Sequence, residues 1–111
     1  MWGRTLPSEV RSGLFGGKGS VRVVRLLPAL PAPFTAAIGC ELDPEGDVGV
    51  HVQKEFAELV IGIAGRGTLH IGGEAAPIEP GSVASLALGQ TLSIRNDSDR
   101  EPLVYVIVKA G

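Results

Sequence analysis

GDVGVHVQKEFAELVIGIAG, residues Gly46–Gly65, reads as two strands around a turn. Val48–Gln53 and Glu58–Ala64 are short runs rich in Val and Ile, the residues that suit a pleated, half-buried surface. Only the middle, Gln53–Glu58, is compatible with a short helical turn. His51 and Gln53 lie two apart on one strand, so their side chains share a face. Glu58 opens the following strand. One strand–turn–strand unit thus gathers an imidazole, an amide and a carboxylate.

The flanking chain has the same character. Upstream, Phe34, Ala36, Ile38, Cys40 and Leu42 alternate with Thr35, Ala37, Gly39 and Glu41. This period of two predicts a strand whose even positions face a core. Asp43-Pro44-Glu45-Gly46 is turn chemistry, with Pro setting φ and Gly accepting a positive φ. Val21–Leu27 reads as a further strand, and PALPAP (Pro28–Pro33) as an extended connection. Downstream, strand-like runs occur at Thr68–Ile71, Val83–Leu86, Thr91–Ile94 and Leu103–Val108. Turn signals GRG, GGE, EPG and NDSD separate them. No sustained 3.6-residue periodicity appears. Seven or eight short strands predict an all-β sandwich or barrel.

Composition agrees. The chain has 111 residues, one domain's worth, and 16 glycines with 8 prolines punctuate it too often for long helices. Residues 1–20 are weakly patterned and read as an N-terminal arm or edge strand; residues 21–111 form the single domain. A net charge of −2, from 10 basic and 12 acidic side chains, offers no field to hold a phosphate backbone, so no nucleic-acid partner is expected. No apolar stretch approaches the ~20 residues of a membrane helix, and no secretory signal is legible. The expectation is a cytoplasmic protein with no membrane partner. One cysteine, Cys40, excludes an internal disulfide framework and a Cys-rich zinc site.

Several motifs carry less than they suggest. GLFGGKGS (Gly13–Ser20) is not a phosphate loop. Ser12 stands where the first Gly is required, and Gly19 follows Lys18 where Ser or Thr is required. It reads as a turn. His51 and His70 are the only histidines, and no GxSxG elbow accompanies them, so no hydrolase triad is legible. Cys40 lies on the apolar parity of its strand and reads as a buried, inert thiol.

Two stretches together resemble the paired motifs of the cupin superfamily. In the first, His51, Glu58 and Gly65 match the motif's first His, Glu and closing Gly; Gln53 stands at the second His. In the second, GSVASLALGQTLSIRN (Gly81–Asn96), Gly81, Gly89 and Asn96 match in register. Ala87 replaces the motif's Pro and Leu92 its His. The resemblance covers about ninety residues, all but the N-terminal arm, counted from these matches. It implies an all-β cupin jelly-roll barrel of two antiparallel sheets, whose motif side chains converge on one metal inside the barrel.

The departures shape the functional expectation. Gln53 is a weaker ligand than imidazole for most transition metals, and Leu92 offers no donor. A metal-free pocket is expected, built around His51, Gln53 and Glu58, with Leu92, Ile94 and Cys40 as apolar lining. His51 is the proton-transfer residue and Glu58 its partner, a pair suited to isomerase or cyclase chemistry. No cofactor is expected. The alternatives are a cupin metalloenzyme, an isomerase or dioxygenase with a divalent transition metal on His51, Gln53, Glu58 and a water or His70, and a non-catalytic dimeric module. His70 reads otherwise as an exposed or hydrogen-bonded strand residue. Asn96 stabilises a turn through its amide. Leu59, Ile61 and Ile63 are apolar, as is Val60 on the other parity, and Leu103–Val108 is apolar on both faces. Such strands need cover on both sides, which predicts a homodimer.

Overall fold

The computed structural model describes residues 2, 3 and 5–111. Among the described residues ten strands run in chain order: β1 Ser8–Ser12, β2 Ser20–Arg25, β3 Phe34–Leu42, β4 Asp47–Val52, β5 Ala57–Ala64, β6 Gly67–Ile71, β7 Glu74–Ile78, β8 Val83–Leu86, β9 Thr91–Asn96 and β10 Leu103–Ala110. They form two sheets, one in the order β1-β2-β3-β10-β5-β8 and one in the order β4-β9-β6-β7. Every pairing is antiparallel. This is the expected two-sheet jelly-roll barrel. Among the described residues, no helix is long and apolar enough to cross a membrane.

The core lies between the sheets. Cys40 and Leu42 of β3, Val60 of β5, Leu69 of β6, Leu92 and Ile94 of β9, and Leu103 and Tyr105 of β10 are all buried there. Their alternation follows from the pleat, which sends every second side chain to one face. Phe34 shares this parity but lies at the open end of β3, where it is exposed.

Three local expectations are corrected. Residues 53–56 form a loop, not a helical turn, and the Gln53 amide closes it by donating from Nε2 to the Phe56 carbonyl at 2.8 Å. β7 (EAAPI) was absent from the sequence expectations because it has one β-branched residue and contains Pro77. It is an edge strand, where a missing N–H is tolerated. In the Asp43–Gly46 turn the left-handed residue is Glu45, at φ 58°, not the glycine. Gly46 instead provides room, since a Cβ there would press on the Asp43 carbonyl and Leu42.

Asn96 is buried and ties three segments together. Its Nδ2 donates to the carbonyls of Leu42 (3.1 Å), Asp43 (3.0 Å) and Glu101 (2.9 Å), and its Oδ1 accepts from the Ser98 amide (2.9 Å). Gly65, at φ 81°, turns the chain from β5 into β6 beside the Pro102 carbonyl, in a conformation L side chains rarely adopt.

Candidate functional site

A cavity of about 660 Å³ opens between the sheets. The predicted pocket residues His51, Gln53, Glu58, Leu92, Ile94 and Cys40 all line it. His51 projects from β4 and Glu58 from the start of β5, while Gln53 sits in the loop between them. Leu92 is the register partner of His51 across β4 and β9. His70 does not join them: it lies on the exposed face of β6, away from the cavity lining. The alternative ligand set that included His70 is therefore corrected, because the strand parity that buries Leu69 turns its neighbour outward.

Two further groups complete the polar end of the cavity. Lys109 of β10 stands opposite Glu58 in the β10–β5 register, and its Nζ lies 3.8 Å from Glu58 Oε1. Tyr105, on the same inward parity, is the register partner of Cys40 and hydrogen-bonds to its thiol. Sequence reasoning missed Lys109 by ending the last strand at Val108. The available signal was a single charge on the parity of Tyr105 and Ile107.

Glu58 is 4% exposed, and its Oε2 has no hydrogen-bond partner among the described residues. Burial pushes its carboxyl above the usual range, while Lys109, His51 and Gln53 pull in the opposite direction. Burial also raises the Cys40 thiol to about 12, with the Tyr105 hydrogen bond opposing. Burial and the neighbouring Cys40 hold the Tyr105 phenol well above its ordinary value. Neither is a nucleophile near neutral pH.

The N-terminal chain forms one wall. The glycine-rich turn that follows β1 packs on β4, held by the Lys18 amide to Asp47 Oδ1 and the Ser20 amide to Asp43 Oδ2, each at 2.9 Å. It lays the Phe15 ring against the His51 ring, with centroids 4.1 Å apart and planes 13° apart. His51 Nδ1 is 3.1 Å from the Gly49 carbonyl.

A cupin-type metal would need donors converging on one point. Among the described residues, no three His, Cys, Asp or Glu side chains do so. The cavity offers His51 and Glu58 as good donors, an amide already used by its loop, and aliphatic Leu92 across from the imidazole. This donor set does not fit a resident transition metal, for which three or four supported ligands are the rule.

No family model matches the chain, and no curated protein matches it. Solved structures do. A predicted oxalate decarboxylase from Thermotoga maritima is 28% identical, over 96% of this chain and 93% of that one, with a TM-score of 0.87. A cupin 2 conserved barrel domain protein from Salinispora arenicola is 29% identical over 82% and 76%, with a TM-score of 0.70. A cupin-2 domain protein from Rhodospirillum rubrum shares the fold at 14% identity, over 100% and 73%, with a TM-score of 0.85.

Proposed function

We infer that this chain, a small cupin, binds a small organic molecule in the cavity between its sheets and does so without a resident metal. One observation carries the reading: Glu58, which lines that cavity, is buried and has a carboxylate oxygen with no protein partner. Buried polar atoms almost always have partners, and an incomplete one on a cavity wall is a place for a ligand. The apolar surface of Leu92, Ile94, Val48 and Ile107 would hold the body of the molecule.

His51 and Glu58 are the acid/base pair of this proposal. An isomerisation or cyclisation needs a proton removed at one atom and returned at another, with no oxidant, and a histidine beside a carboxyl of raised pKa suits that task. The first test is a ligand screen by amide and methyl NMR. Compounds that bind are expected to shift the signals of His51, Gln53 and Leu92, and Glu58→Leu is expected to weaken them. If no compound in a broad panel moves those signals, the reading fails.

We also propose that a second copy covers the outer face of the six-stranded sheet. Leu59, Ile63 and Val83 are exposed there. Val83 stands opposite Ile61, Ile61 opposite Val106 and Leu59 opposite Val108, so the apolar surface is continuous across three strands. Trp2 packs over Gly39 on β3, so the β3 part of the sheet already has cover from within the chain. Sedimentation should report a dimer that Leu59→Glu converts to monomer.

A further inference from the structure

We propose that the ligand is a neutral molecule with an apolar body and a hydroxyl next to an acceptor oxygen, as in an α-hydroxy carbonyl compound, gripped jointly by Glu58 and Lys109. The proposal rests on the cavity reading above and specifies the chemistry that fits it.

The polar end of the cavity has a defined set of unmet capacities. Glu58 Oε1 faces the Lys109 ammonium at 3.8 Å, whereas Oε2 is an acceptor without a donor. Lys109 carries three N–H donors, and this ion pair engages it from one side only. Its side chain is 34% exposed, against 2% for that of Glu58. The pair therefore offers one free acceptor and spare donors side by side. A hydroxyl donating to the Glu58 carboxylate, which turns about its last bond to bring the enclosed Oε2 to the cavity, with a neighbouring oxygen accepting from Lys109, meets both needs.

Charge argues for a neutral partner. Glu58 and Lys109 offset one another, so an ion brought to this end of the cavity would leave water without gaining an unopposed counter-charge. Some of the other polar groups of the lining already have partners, whereas Arg25, Lys54 and Glu55 lie toward solvent. The Gln53 amide donates to the Phe56 carbonyl of its own loop and also hydrogen-bonds the Glu58 carboxyl, and Tyr105 engages Cys40. Arg11 on the cavity wall is paired with Glu9. Beside the pair, Leu92, Ile94 and Ile107 of the lining offer aliphatic surface to an apolar body.

Discrimination should be sharp for the hydroxyl. A site that hydrogen-bonds a hydroxyl rejects the analogue lacking it, because the buried group is left unpaired. The test titrates four probes of one size, followed by NMR or calorimetry: α-hydroxyacetophenone, acetophenone, benzoate and benzylammonium. The hydroxy ketone is expected to bind at least about tenfold more tightly than each of the other three. In the double variant Glu58→Leu/Lys109→Met both charges leave together, so the fold keeps no unpaired ion. There acetophenone should still bind, and the preference for the hydroxyl should disappear.

Tighter binding of benzoate or benzylammonium overturns the proposal, as does a hydroxyl preference that survives in the double variant. Binding of none of the four overturns it too. If other compounds still shift the His51 and Leu92 signals, the cavity reading stands without this ligand class. If nothing does, both fall.

Discussion

Lys109 and Glu58 face each other across the β10–β5 pairing, with the ammonium 3.8 Å from a carboxylate that is almost wholly buried. Neither side chain has another ion-pair partner among the described residues. Removing only the lysine strands a buried carboxylate, which is more costly than removing both charges. Lys109→Met should destabilise the protein by about 1–3 kcal/mol at neutral pH, less than for a fully buried pair because the lysine is partly solvated. Adding Glu58→Leu should recover most of the loss. Urea midpoints of the two variants check this, and equal losses in both would refute the coupling.

The same carboxyl sets a pH dependence. Burial raises Glu58 above its ordinary value of 4.5, so the native protein keeps a proton that the unfolded chain has released. Between that ordinary value and the raised native one, the native state binds more protons than the unfolded state. Stability therefore falls as pH rises through this window and stays lower above it. Glu58→Gln cannot titrate and should lack this component. The stability of Glu58→Gln relative to wild type should rise as pH increases through the window. A constant difference at all pH values would contradict the assignment.

Leu92 occupies the register position opposite His51. Introducing an imidazole there adds a donor beside His51 on the same sheet, with Glu58 on the other sheet. Leu92→His should raise affinity for Co²⁺ or Ni²⁺ at least about tenfold, measured by equilibrium dialysis. The wild-type protein, purified without chelator, should carry less than about a tenth of an equivalent of Fe, Mn, Ni, Zn or Cu, since its donors are too few for tight binding. Full occupancy in the wild type would transfer the argument to a metalloenzyme.

Asn96 satisfies three carbonyls and one amide from a buried position. Asn96→Ala removes all four bonds and leaves backbone groups without partners, a loss of about 2–4 kcal/mol. Asn96→Asp keeps the acceptor for Ser98 but turns a carboxylate toward three carbonyls, and should be no better. Thermal melts of both variants are the check.

Much of this molecule is legible in its residues. Period two along Phe34–Leu42 and Thr91–Asn96 places Cys40, Leu92 and Ile94 on the inner face, because successive strand side chains point to opposite sides. The spacing of His51, Gln53 and Glu58 brings them to one cavity through local geometry. β7 was hidden because Pro77 and its small residues lack a strand signature, and only pairing with β6 makes EAAPI extended.

The polar end of the site was not legible. Lys109 meets Glu58, Tyr105 meets Cys40 and Phe15 meets His51 only because distant strands and one turn are laid side by side. Alternation along a strand tells which way a side chain points, since that follows from the pleat. It is silent on which strand lies next to which, since pairing depends on contacts summed over the whole barrel. The sequence therefore settled the inward-facing set, and the folded sheet order chose the partner that each member of that set would meet.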